Sequence, residues 1–263
     1  MSFFVNNVEL NEATFNQQEV KSIYFNTHLI WEAFSGPESW PAAGTPLKDW
    51  TWEEIINLCN SGRDVRRYFS IGDTRSLVLT TGEVVTVAIG DFYHNTISQT
   101  NKTAAIAFTF VNCLNTKYAM NTSQTNKGGW NDSNMRKTHM PNILATFPAE
   151  LTANNAIKNV GVVATVGSIN ALLTSYDRLR LHSVTELGGS APNAAIEGTA
   201  YPYYSESPNN TTKYVNGKSV NYWTRTSCRK DEKSFYASFY DMTNYYYDYT
   251  ADYNFSVACA FDI

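Results

Sequence analysis

The densest run of chemistry-bearing side chains lies near the C-terminus, in YDMTNYYYDYTADYNF, residues 240–255. Phenols interleaved with Asp, Asn and Thr suit recognition. Tyrosine offers a large amphipathic contact surface while freezing only two side-chain torsions, and the short polar groups supply adaptable hydrogen bonds. Catalytic arrangements are harder to assemble. His28, His94, His139 and His182 stand in unrelated contexts, and each reads as a packed or surface histidine. Glu53 and Glu54 are adjacent on an expected helix and so point in different directions. No glycine-rich phosphate loop, G-x-S-x-G elbow or H-E-x-x-H motif occurs. Trp130, Asn131 and Asp132 form a WND triplet of the kind that binds calcium in lectins, but no Glu-Pro-Asn or Gln-Pro-Asp precedes it. The expectation is a protein that is not an enzyme and needs no metal or cofactor. Cys59, Cys113, Cys228 and Cys259 are scattered without metal-ligand spacing and read as separate free thiols. A Cys228 to Cys259 bridge stays open as the alternative.

These residues need elements to hold them. Alternation in VKSIYFNTHLIWEA predicts two strands around a turn at residues 26–28, within a small β unit over 1–34 that serves docking or attachment. Gly36, Pro37, Pro41, Gly44 and Pro46 mark 35–47 as a linker. From residue 48 a single larger domain runs to 263. Thr51 with Glu54 predicts a capped helix carrying Trp52, Ile55, Ile56 and Cys59 on one face. YFSIGDTRSLVLTTGEVVTVAIGDF reads as strands turning at Thr81 and Gly82, and AAIAFTFVNCL as a further buried segment. A helix is expected near Ser133 and a short one after Pro148. Residues 179–184 suggest a strand, 188–221 are loop-rich, and NYWTRTS and SVACAFDI close the chain as buried segments. Short strands, few helices and long loops make the fold class α+β.

Composition sets outer limits. The 263 residues are 43 % hydrophobic and 17 % charged, as in ordinary globular proteins. A net charge of −4 and a pI near 5.6 give no electrostatic footprint for nucleic acid. No apolar run is long enough to span a bilayer, and the N-terminus does not read as a signal peptide.

YFSIGDTRSLVLTTGE, GGWNDSNMR, YDRLRLHSVTEL, EGTAYPYY, NYWTRTS and the terminal AFDI, in that order, resemble a domain of phage and prophage proteins of gut bacteria. That domain has a C-type-lectin-like fold of the formylglycine-generating-enzyme branch, and the resemblance covers about residues 48–263. VKSIYFNTHLIWEA is similar, more weakly, to a segment of phage tail and baseplate proteins.

Some members of the group are variable proteins of diversity-generating retroelements, in which copying errors at template adenines rewrite the 3′ end of the gene. AAC codons then become NNC codons, an alphabet without Trp, Met, Lys, Glu or Gln. Before Ser234, 38 of 233 residues belong to those five types, a rate that would place about five in the last thirty. Met242 alone is found there, beside seven of the chain's seventeen tyrosines.

The resemblance implies a variable region at about 220–263. Its ligand-binding surface would comprise Ser227, Arg229, Asp231, Ser234, Tyr236, Tyr240, Asp241, Asn244, Tyr245, Tyr246, Tyr247, Tyr249, Asp252, Tyr253 and Asn254. Trp223, Arg225, Val257, Ala260, Phe261 and Ile263 would be scaffold, and Phe235 and Phe239 core. It further implies recognition of a host cell-surface protein or glycan, contact with other tail or virion proteins, and a possible homo-oligomer. The location would be the virion, after assembly in the bacterial cytoplasm. A structural tail component that packs subunits through the aromatic C-terminus is the alternative. An oxidase of the formylglycine-generating type is disfavoured, because that chemistry needs closely spaced cysteines and Cys228 and Cys259 are far apart in sequence.

Overall fold

The computed structural model describes residues 40–167, 169, 171–238 and 246–263, apart from the side chain of Tyr247, and the backbone of six short strands before residue 40. Those strands pair as antiparallel hairpins: β1 (Phe4–Val5) with β2 (Val8–Glu9), β3 (Thr14–Phe15) with β4 (Gln18–Glu19), and β5 (Ser22–Phe25) with β6 (His28–Glu32). The last pair is the one that alternation in VKSIYFNTHLIWEA predicts.

Helix α1 (Trp52–Asn60) starts where the capping box requires. Thr51 Oγ1 accepts the Glu54 amide at 3.2 Å, and the Glu54 carboxylate accepts the Thr51 amide at 2.7 Å. Trp52, Ile55 and Leu58 form its buried face, and the Trp52 ring meets Phe108 edge-on at 5.6 Å.

Strands β7 (Thr74–Val78), β8 (Val84–Phe92) and β9 (Ile106–Phe110) follow, then short helices α2 (Gly129–Asp132), α3 (Met140–Leu144) and α4 (Ala149–Thr152). The helix expected near Ser133 is thus interrupted: Ser133 caps the C-terminal end of α2, and a π-helical turn over Met135–His139 leads into α3. The ribbon β10 (Val160–Thr165) and β11 (Leu172–Asp177) precedes β12 (Leu179–Leu181). The region expected to be loop contains α5 (Pro202–Ser205) and a hairpin of β13 (Lys213–Val215) with β14 (Lys218–Val220). Strands β15 (Tyr222–Ser227), β16 (Ser234–Ser238), β17 (Tyr246–Thr250) and β18 (Cys259–Asp262) complete the chain.

The main sheet is antiparallel, in the order β12-β18-β9-β8-β7. β18 is therefore an interior strand, inserted between β12 and β9. Strands β9 and β18 are buried throughout, with Phe108 stacked on Phe261 at 5.2 Å and Phe147 edge-on to Phe261 at 5.5 Å. A second antiparallel sheet, β15-β16-β17, carries the C-terminal region. Gly129 (φ +59°) seats α2 on β10: a Cβ there would lie 2.0 Å from the Thr165 carbonyl oxygen, so only glycine fits. The architecture is mixed helix and sheet, α+β.

Candidate recognition surface and the polar frame beneath it

Every residue of β15 is buried, including its charged and hydroxyl side chains. Such groups persist in an interior only when hydrogen-bonded or paired. Arg225 makes a two-pronged pair with Glu186 at 2.6 and 2.7 Å, and donates to the carbonyls of Leu181 at 2.9 Å and Val163 at 3.1 Å. Burial alone would raise the Glu186 carboxyl. Arg225 and His182 override it and hold Glu186 well below the ordinary carboxylate range. Thr226 donates to Glu197 at 2.5 Å, Glu197 accepts the Thr165 amide at 2.6 Å, and Ser227 donates to the Thr165 carbonyl at 3.0 Å. The network binds β15 to β10, β12 and the loop after β12.

Its continuation reaches the main sheet. His182 Nε2 lies 3.0 Å from Thr109 Oγ1, which is 2.6 Å from the Tyr204 hydroxyl, and Lys213 donates to that hydroxyl at 3.3 Å and to the Phe110 carbonyl at 2.8 Å. Burial lowers the Lys213 ammonium to about 7 and the His182 imidazole to about 4. Arg180 pairs with Asp262 and donates to the Tyr201 hydroxyl at 2.9 Å, while Asn95 bridges Tyr201 and Asp262 at 2.7 and 2.8 Å. These groups are buried on all sides and satisfied by one another, as a structural frame requires.

The surface around β16 and β17 is partly covered and partly open, with Asp248 exposed on one face and Phe235 buried on the other. Tyr236 and Asp248 are register partners and share one face, whereas Phe235 and Tyr249 share the other. On the first face Tyr236 is 2 % exposed and Tyr246 is 8 % exposed. The loop at 189–194 covers them. The Asn193 amide donates to the Tyr236 hydroxyl at 3.2 Å, the Arg229 amide donates to the Asn193 carbonyl at 2.7 Å, and the Arg229 guanidinium donates to the Ala194 carbonyl at 2.9 Å. The Tyr246 ring packs against Gly189, where a Cβ would fall 2.1 Å from a ring carbon. Ser227 and Ser234 are also buried. Exposure expected of Ser227, Ser234, Tyr236 and Tyr246 is thus corrected: two are hydrogen-bonded into the frame and two lie beneath the covering loop.

The second group faces outward. Arg229, Asp231, Tyr249 and Asp252 are half-buried, and Tyr253 (52 % exposed) and Asn254 are exposed. Tyr249, Tyr253 and Phe255 form an aromatic cluster with centroid separations of 4.6 to 5.7 Å, and Phe255 meets buried Trp223 at 5.0 Å. Exposed rings are thereby anchored on a fixed core. Backbone bonds between Tyr118 and Phe255, 2.8 and 3.1 Å, continue this patch toward a groove of about 180 Å³ bordered by Tyr118, Leu114, Ile143, Glu83 and Asn142. Tyr118 and the groove carry no sequence signal, because residues far apart in the chain build them. Tyr240, Asp241, Asn244, Tyr245, the Tyr247 side chain and Phe239 lie outside the described residues.

Trp223, Arg225, Val257, Ala260, Phe261, Ile263 and Phe235 are all buried, as the scaffold and core expectation requires. All four cysteines are free, so the Cys228 to Cys259 bridge is absent. The WND triplet serves packing: Trp130 is buried and donates to Asp177 at 2.8 Å, and Asp132 accepts from Lys137 at 2.6 Å.

One family model matches residues 97–260, more than half of the chain. The chain belongs to the DUF6273 family. The family is described as a domain of unknown function. No curated protein and no solved structure matches the chain. In this DUF6273 protein the matched span contains the second sheet and most of the buried frame, but β7 and β8 precede it and complete the main sheet. The structural unit therefore begins ahead of the matched residues.

Proposed function

We propose that this DUF6273 protein is a ligand-binding protein of C-type-lectin-like fold from a phage or prophage, diversified at its C-terminal region to recognise variable host-surface targets. The observation that carries the reading is the division among the described residues of 222–263: a buried frame beneath, and Arg229, Asp231, Asp248, Asp252, Tyr253 and Asn254 reaching solvent above. A preorganised frame lets surface side chains change without unfolding the domain, and it limits the entropy lost on binding. The scarcity of Trp, Met, Lys, Glu and Gln from Ser234 onward supports the same reading. Repeated copies on a particle would turn modest contacts into avidity.

The test has a genetic and a physical arm. The DNA beside the gene should hold a reverse-transcriptase gene and a template repeat matching codons 220–263, differing only at adenines. Replacing Tyr253, Asp252 and Asn254 together by alanine should abolish adsorption of the protein to its host cells with its melting temperature unchanged. Mixed NNT and NNC codons without a template repeat would overturn diversification. Adsorption that survives the triple substitution would overturn the binding surface.

A further inference from the structure

Three ligand-bearing side chains from separate parts of the C-terminal sheet converge at one edge of this surface. The Cys228 thiol, at the end of β15, and the carboxylates of Asp231, in the following loop, and Asp248, on β17, have donor atoms all within 4.8 Å of one another. We propose that Cys228, Asp231 and Asp248 bind a zinc-like divalent cation that fastens the 228–234 loop to β17.

The donor set chooses the ion. Calcium and magnesium take oxygen ligands, whereas a thiolate beside carboxylates suits zinc or its spectroscopic substitutes cadmium and cobalt. Zinc with sulfur at about 2.3 Å and oxygen at about 2.0 Å needs each donor to close in by about 1 Å or less from the observed spacing. Three protein ligands leave one position of a four-coordinate ion to water.

A buried amide fixes the loop that carries two of the donors. Asn126 is fully buried, and its Nδ2 donates to the carbonyls of Cys228 at 2.8 Å, Asp231 at 3.1 Å and Ser234 at 2.9 Å. Its carboxamide therefore sits inside the loop that carries two of the ligands. The Oδ1 of the same amide is buried without a hydrogen-bond partner. An orphaned acceptor of this kind is costly. The loop is also built to hold still. Asp231 Oδ1 accepts the amides of Lys233 and Ser234, each at 2.8 Å, and Oδ2 accepts the Ser234 hydroxyl at 3.0 Å. The Tyr236 hydroxyl lies 3.8 Å from the Cys228 sulfur, as an outer hydrogen-bond partner for a bound thiolate. Burial raises the Cys228 thiol, and Asp248 and Asp231 add to it. A cation reverses that balance, so binding would release the thiol proton to solvent.

The claim does not rest on the recognition reading, because its readouts need no target. Metal-free full-length protein is titrated with Zn²⁺ by calorimetry and with Cd²⁺ by ultraviolet absorption. One equivalent of either ion should bind, with a cadmium–thiolate charge-transfer band. Cys228→Ser should remove the band and Cys59→Ser should leave it. Asp248→Asn, at an exposed position, should weaken binding by about tenfold or more without changing the metal-free melting temperature. The inference is overturned by any of three results: no saturable uptake, a band that survives Cys228→Ser, or affinity indifferent to both Asp248→Asn and Asp231→Asn.

Discussion

Arg225 and Glu186 show how much of this domain rests on single buried charges. A paired buried charge contributes little net stability, but removing one member strands the other in a medium that cannot solvate it. Arg225→Met should therefore cost about 3–5 kcal/mol in urea unfolding, far beyond the loss of its packing. Lys213 makes a different kind of contribution. Its partners are a carbonyl and a phenol rather than a carboxylate, and its folded-state value of about 7 lies below its ordinary 10.5. Between those values the unfolded chain holds a proton that the folded chain has released, so stability rises with pH across that window. The slope approaches about 1.4 kcal/mol per pH unit where the two states differ by a whole proton. Lys213→Met should flatten the rise in unfolding free energy between pH 7 and 9.5. His182, lowered to about 4, acts in the same sense further down: stability falls as pH drops from 6.5 toward 4.

At the scale of elements, local chemistry was legible and long-range cover was not. The Thr51 and Glu54 capping box announces α1, and Thr51→Ala should cost about 1 kcal/mol by chemical denaturation. Thr81 and Gly82 announce the turn between β7 and β8, where Gly82 has φ +85°. Asn216 and Gly217 (φ +49° and +75°) carry an equally local signal for the hairpin of β13 and β14, which the reading of 188–221 as loop passed over. Period-two alternation indicates that half of a tyrosine-rich strand faces inward, but not that a loop closes over the other half. The loop that covers Tyr236 and Tyr246 comes from some forty to sixty residues earlier and depends on Gly189 for its close approach. Gly189→Ala should displace the Tyr246 ring, costing about 1–3 kcal/mol and quickening hydrogen exchange in β16 and β17. The buried frame escaped sequence reasoning for the same reason: Glu186, Glu197, Lys213 and Arg180 look like surface charges until the fold brings their partners to them.

For the whole molecule, the order of strands decides when the domain can form. β18 pairs with β12 on one side and β9 on the other, so an interior strand of the main sheet comes from more than a hundred residues after its neighbour β9. It brings Phe261 into the aromatic core and Asp262 into the pair with Arg180, and its removal would leave the edges of β9 and β12 unpaired together. Most contacts that define the unit thus join residues distant in sequence, a topology that folds slowly because loop closure precedes reward. The same placement sets the candidate recognition surface beside an unyielding core: β15 and β18 bracket the β16 and β17 hairpin in sequence and are buried throughout. Deleting residues 259–263 should therefore do more than fray an end. The shortened chain should lose its cooperative thermal transition and near-ultraviolet circular dichroism, whereas alanine at Tyr253, a few residues earlier and exposed, should leave both intact. A truncated chain that still melts cooperatively at the full-length temperature would show that β18 is dispensable and the sheet order wrong.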